Sequence, residues 1–318
     1  MGLKTEQIVK ILQIKGLESK TAFKICDVAN NETIDNDYDL QNFIIGCIAN
    51  KSIYGLPEYS KTELNIAFEQ GSQILRKSER AGIKILSTFD SDFPQYLKDI
   101  HNKPIILNFK GNYKNLNNHE GIAIIGTREP TIEGKISGEF YGEYFGKKGY
   151  NVVSGLAKGC DTAVHLGCLK GGGMTTAIVA HGLHMVYPKE NEELAESIIE
   201  SGGVLLSEYF IGEGALANYF IERDRLQAGL SKATIVIQTD IKGSTMFAVN
   251  ATLDSNKPLA AVQYKPDIYS SEIRGNEMLI KTGKAFLLTS NSVNEFFKII
   301  SDKPKTGVKT ITNNDILV

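Results

Sequence analysis

No apolar run in this chain reaches the roughly 18 residues that a membrane-spanning helix needs. The longest, at 121–126 and 233–237, have the size of a strand. A secretory leader is not expected either, since the first ten residues mix Lys, Glu and Gln. Cysteine is scarce. Cys26, Cys47, Cys160 and Cys168 form no CxxC pair and no ligand spacing, so they read as buried thiols of a reducing cytoplasm. Positive charge is not in excess either: 35 Lys+Arg against 37 Asp+Glu leave a formal charge of −2. A surface that attracts polyanions everywhere is thereby excluded, and any nucleic-acid site must be a local patch. Arginine is the scarcest basic residue, with six (Arg76, Arg80, Arg128, Arg223, Arg225 and Arg274) against 29 lysines. A chain that uses Lys for generic charge and retains a few Arg points to places that need a planar, bidentate fork.

What is present is an ordinary globular composition. The 318 residues, 42% hydrophobic and 23% charged, suffice for about two domains with a substantial core. Residues 1–80 read as helical. Helical runs at 7–12 and up to residue 28 flank a turn at Gly16, as in a helix–hairpin–helix or sterile-alpha-motif-like element, and another amphipathic helix covers 64–80. Such a hairpin can touch a phosphate backbone through its turn amides. After short strands near 84–87 and 104–109, strand and helix alternate. Strands are expected at 122–125, 151–154, 175–179, 204–207, 234–238 and 259–262, with helices at 134–148, 161–169, 191–200, 220–230 and 245–255. Apolar strands joined by helices imply a parallel sheet covered on both faces, an α/β doubly wound Rossmann-like fold over 81–300. Residues 301–318 read as a tail. Ligands of such a sheet belong beyond the carboxyl ends of its strands.

Four loops at expected strand ends carry small or charged residues. The first is Gly126-Thr127-Arg128, where helix-terminal amides attract a phosphate and Arg128 can clamp it. The second holds Ser154, Gly155 and Lys158, with Asp161 reading as a helix N-cap. The third carries Arg223, Asp224 and Arg225, two arginines that cannot share one helical face. The fourth, Lys242-Gly243-Ser244-Thr245, offers amides and hydroxyls to an anion. Each is ambiguous alone; together they describe an anion-lined groove. His181 and His184 form an HxxH pair without a suitable third ligand, so neither a metal nor another cofactor is expected. No Walker loop, HExxH or Ser-His-Asp order is present.

The assembled motifs resemble the DprA/Smf family, the DNA-processing protein A family. The resemblance rests on Phe89-Asp-Ser-Asp-Phe-Pro94, Gly126-Thr-Arg128, residues 154–161 with Ala163 and His165, Tyr187-Pro188 with Asn191, Leu206-Ser-Glu208, Arg223-Asp-Arg225 with residues 228–231, and Gly243-Ser244. It covers about residues 83–265. It implies an extended Rossmann domain that binds single-stranded DNA in a basic pocket, with RecA as a partner, frequent homodimers and no membrane association. Departures accompany it. Asp224 stands where the family has Asn, Gln238-Thr239-Asp240 replaces Glu-Ala, and residues 180–184 replace a glycine-rich segment. A C-terminal winged-helix-like domain, found in many members, is not expected within these 318 residues.

Carboxylates entering phosphate loops open a second reading. A carboxylate beside a flipped-out nucleotide can stabilise an oxocarbenium-like transition state, as in an N-glycosidase that excises a base, ordinary or modified, from foreign or phage DNA. Asp224, Asp240 and Glu208 are the residues that such a DNA glycosylase would use.

Overall fold

The structure is a computed structural model that describes residues 2–265, 268 and 270–301. Four helices come first: α1 (Thr5–Ile11), α2 (Ser19–Ala29), α3 (Asp37–Ala49) and α4 (Lys61–Arg80). Gly16, at φ +78°, turns the chain between the first two. Ser60 and Glu63 start α4 with reciprocal capping bonds, so the helix opens three residues before the periodicity predicts. Their shared core contains Ile8, Ile25, Leu40, Ile44, Leu64 and Phe68, and it extends to Ile85, Ile105 and Ile106 of the following chain.

The remaining elements are β1 (Lys84–Ser87), β2 (Ile106–Gly111), β3 (Gly121–Ile125), α5 (Ile132–Lys147), β4 (Asn151–Ser154), α6 (Cys160–Lys170) and β5 (Thr175–Ile178). They continue with α7 (Glu192–Glu200), β6 (Val204–Ser207), α8 (Ala217–Gly229), β7 (Ala233–Val236), α9 (Met246–Asp254) and β8 (Leu259–Val262). The last are α10 (Arg274–Lys281), β9 (Phe286–Leu288) and α11 (Val293–Ser301). They build one nine-stranded sheet in the order β1-β2-β6-β5-β4-β3-β7-β8-β9. From β6 to β9 every pairing is parallel, and the order reverses between β3 and β7. This is the doubly wound Rossmann-like α/β fold. The strands that alternate with helices pair in parallel as expected, and the two earlier short strands add an antiparallel edge through β1–β2 and β2–β6. An antiparallel neighbour needs no crossover helix, and the β1–β2 connection contains only a short 3₁₀ turn at Gln95–Leu97.

Strands β3 to β8 are buried along their whole length, which is why they read as continuous apolar runs rather than alternations. Helices α5 and α6 approach so closely that a Cβ on Gly142 would lie 2.2 Å from the Val164 carbonyl oxygen. The expected tail lies outside the described residues from 302 onward.

Candidate functional site

A small pocket of about 50 Å³ opens at the carboxyl end of the sheet, where the strand order reverses. Gly126 and Arg128 reach it from the β3–α5 loop, Asp161 from α6, Arg223, Asp224 and Gln227 from α8, and Ser244 and Thr245 from the start of α9. The loops are tied together by backbone bonds. Thr127 N donates to the Gln238 carbonyl at 2.8 Å, and Cys160 N donates to the Thr127 carbonyl at 3.1 Å. Gln238 clasps Thr131, the N-cap of α5, with both atoms of its amide at 2.9 Å. The topology therefore brings Gly126, Thr127, Arg128, Ser244 and Thr245 to one mouth.

At that mouth Arg128 is exposed, and its guanidinium lies 4.8 Å from the centroid of the Phe220 ring. Tyr187, also exposed, packs 6.0 Å from the same ring. Exposed Ser244 lines the same pocket, and exposed Lys242 precedes it by two residues. Arg128 and Lys242 make no ion pair among the described residues. Lys158, by contrast, is held 2.6 Å from Glu190 by an exposed ion pair that salt readily screens.

Beneath the mouth the arrangement differs from the sequence expectation. Arg223 is buried, with Nη1 donating to the carbonyls of Gly155 (3.0 Å) and Ile178, and Nε donating to Asp224 at 3.1 Å. It braces two strand-end loops from below instead of standing free for a phosphate. Only glycine fits at 155, because a Cβ there would lie 2.3 Å from Arg223 Nη1 and 2.5 Å from Asp161 Oδ2. Ser154 is likewise internal: its hydroxyl donates to the Ile124 carbonyl at 2.8 Å and ties β4 to β3. Asp161 is not the N-cap of α6. That place belongs to Gly159, while buried Asp161 accepts from Ala157 N at 3.2 Å. Burial pushes the Asp224 carboxyl up to about 6 against the pull of Arg223, and the Asp161 carboxylate adds to the rise. Asp161 is raised as well, again by burial.

Arg225 leaves the other side of α8. It joins a larger groove of about 1140 Å³ between the first two helices, the β1–β2 connection and α8. There its fork binds both carboxylate oxygens of Glu208 at 2.7 Å, and Nε donates to the Asn102 carbonyl at 2.9 Å. The expectation that Arg223 and Arg225 sit on phosphates together with Arg128 is thus corrected by helical geometry: one arginine points under the sheet ends and the other away from them. The three carboxylates of the glycosidase reading are also scattered. Asp224 faces Arg223, Glu208 faces Arg225, and Asp240 lies 3.2 Å from Arg274. Asp224 lines only the small strand-end pocket, and Glu208, although it borders the larger groove, has both carboxylate oxygens held by Arg225. That reading is not carried forward. His181 and His184 do not converge either: His181 bonds to the Gly182 carbonyl, and His184 Nδ1 accepts from Gly212 N at 3.2 Å.

Sequence reasoning missed Phe220, Tyr187 and Gln227 as parts of the site. An aromatic three residues before Arg223 was a signal available for the first. It also missed buried Asn276, whose amide donates to the Val236, Ile237 and Val262 carbonyls and accepts from Thr239 N. Asn276 ties off two strand ends, those of β7 and β8, from α10, and nothing local marks such a role.

Residues 84–298 match the family described as DNA recombination-mediator protein A. Protein Smf of Synechocystis sp. is 30% identical over 224 residues, covering 70% of this chain and 56% of that protein. The chain thus spans little more than half the length of that relative. Among solved structures, DNA processing protein A of Streptococcus pneumoniae superposes with a TM-score of 0.73 at 27% identity, over 92% of this chain and 97% of that one. DNA processing protein A of Helicobacter pylori, described for its single-stranded DNA binding mode, gives a TM-score of 0.59 at 28% identity over 68% of this chain and 96% of its own.

Proposed function

This chain belongs to the DNA recombination-mediator protein A family, and we propose that it holds single-stranded DNA across the strand ends where β3 meets β7. The observation that carries the reading is Arg128: an exposed guanidinium that makes no ion pair among the described residues and rests on the Phe220 ring at the mouth of the pocket. A cation beside an aromatic face is what a flexible strand requires, because phosphate meets the charge while an unstacked base covers the ring. The start of α9 adds the Ser244 and Thr245 hydroxyls and helix-terminal amides, and Lys242 adds charge without an internal partner among the described residues. Gly126 and Thr127 shape the approach. Because the net charge is −2, the attraction is confined to this patch and the salt slope is moderate.

The reading assigns the strand phosphates to Arg128, Lys242, Ser244 and Thr245. Gly155 and Arg223 serve as the brace beneath them and Gly243 as the turn before α9. A RecA recombinase as partner, self-association into a homodimer and a place in the cytoplasm belong to the same proposal. Among the described residues no helix is long and apolar enough to cross a membrane.

The test is fluorescence anisotropy with a labelled oligonucleotide. Wild type binds single strands of unrelated sequence with similar Kd. Arg128→Ala weakens binding to all of them and reduces the log–log salt slope by about one unit. Unchanged Kd and slope in that variant would sink the reading.

A further inference from the structure

We propose that the larger groove is the second part of one single-strand track: DNA anchored at the mouth crosses the start of α8 and lays its phosphates on lysines of α2 and the β1–β2 connection. This rests on the DNA-binding reading and extends it to a second surface, to which the N-terminal helices contribute.

The two hollows are continuous. Ile221, 44% exposed on α8, lines both of them, while its neighbour Phe220 lines the strand-end pocket and Glu222 the groove. A single ridge of α8 thus separates them. The groove, at about 1140 Å³, exceeds the roughly 300–1,000 Å³ of ordinary ligand pockets and has room for more than one nucleotide. Its charges are sorted by element. Lys20 comes from α2, and Lys98 and Lys103 from the β1–β2 connection with exposed Asp99 beside them; none of the three lysines makes an ion pair among the described residues. Glu208, Glu213 and Glu222 come from the end of β6 and from α8 with the loop before it, and each already accepts from internal donors. Arg225 holds Glu208, Phe210 N (2.7 Å) and the Tyr219 hydroxyl (3.2 Å) hold Glu213, and the Tyr209 hydroxyl (3.1 Å) holds Glu222. Cations and carboxylates balance over the groove as a whole, so their separation, not an excess, directs a phosphate to the lysines.

A second observation is independent of that count. Lys103 Nζ lies 5.2 Å from the centroid of the Phe23 ring, and both side chains line the groove. The pair repeats the arrangement at the mouth, where Arg128 lies 4.8 Å from the Phe220 ring. In both places the cation can meet a phosphate while an unstacked base covers the aromatic face. Half-buried Leu17, Ile100 and Phe210 add apolar surface around Phe23 for such bases. A duplex keeps its base faces covered and gains nothing from that surface, so the occupant is a single strand.

The experiment uses the full chain and labelled oligo(dT) of roughly 4 to roughly 16 nucleotides. Lys98 donates to the Asp90 carbonyl at 3.4 Å, so the exposed Lys20 and Lys103 are the ones to change. Lys20→Ala/Lys103→Ala should weaken binding of the longest strand roughly tenfold and lower its log–log salt slope by more than about one unit, as two lost phosphate contacts require. The loss should grow with strand length, because a strand too short to leave the mouth meets neither lysine. Phe23→Leu, which keeps an apolar side chain but removes the ring face, should weaken the longest strand about fivefold or more. Photo-crosslinking to wild type is independent of any variant. A single 4-thiothymidine moved along the longest strand should mark the peptide containing Phe220 and, several nucleotides away, the peptides containing Phe23 or Lys103. A loss in the lysine variant that does not grow with length, or crosslinks confined to the Phe220 peptide, overturns this inference alone. Failure of wild type to bind any of the strands overturns the DNA-binding reading, and this inference with it.

Discussion

Arg225 and Glu208 are locked fork to fork, Nη1 to Oε2 and Nη2 to Oε1 at 2.7 Å each, while Arg225 Nε donates to the Asn102 carbonyl and Nη1 also reaches the Glu222 carbonyl. One guanidinium thereby joins α8, the end of β6 and the β1–β2 connection. A lysine cannot reproduce that planar set of bonds. Arg225→Lys should therefore destabilise the fold by about 1–3 kcal/mol in urea unfolding. It should change oligonucleotide affinity far less than Arg128→Ala does. The opposite pattern, normal stability with a large loss of affinity, would show that the fork opens to bind phosphate.

Arg128 and Phe220 act as one unit, so their removal should not be additive. Phe220→Ala should weaken single-strand binding by about 1–3 kcal/mol, whereas Phe220→Tyr, which keeps the ring, should retain most affinity. The double variant Arg128→Ala/Phe220→Ala should lose less than the sum of the two single changes. Additive losses would separate the two side chains into independent contacts.

Gly155 tolerates no side chain. Gly155→Ala forces a methyl into Arg223 and Asp161, and should cost about 2–4 kcal/mol and lower the Tm markedly. Gly46, inside α3 with nothing within 4 Å of where a methyl would stand, is the internal control. Gly46→Ala should be neutral or stabilise by up to about 1 kcal/mol. Equal effects at the two positions would refute the packing argument.

The Asp224 carboxyl also sets a pH dependence of stability. Its value in the folded state, about 6, lies above the ordinary 3.8, so between the two the folded chain binds more protons than the unfolded one. Stability contributed at this position is greatest below that window and declines as pH rises through it. Asp224→Asn should consequently raise stability at about pH 8 by on the order of 2 kcal/mol relative to wild type, with the gain vanishing near pH 4. Tm measured at the two pH values checks it; a gain confined to acid would reverse the sign and refute it.

The repeating part of the fold was legible in the chain. Strands β4, β6 and β8 fall on the residues that apolar runs and flanking turns predict, because burial on both faces leaves an uninterrupted mark. The strand-end loops were legible for a related reason: a chain leaving a strand for a helix N-terminus needs small and hydroxyl residues there. Helices α10 and α11 and strand β9 went unread. The three residues of Phe286–Leu288, one of them exposed, are too few to show a period.

Local sequence thus determined which segments are buried, which loops stand at the strand ends and where the scarce arginines lie along the chain. Tertiary structure alone decided what those arginines do. Arg128, Arg223 and Arg225 share a charge and the last two a motif, yet one lies open on an aromatic ring, one is buried under two carbonyls and one is gripped by Glu208. The partner oxygens come from residues 68, 45, 17 and 123 positions away. A guanidinium takes its role from the oxygens within about 3 Å of it, and only the folded chain determines which oxygens those are.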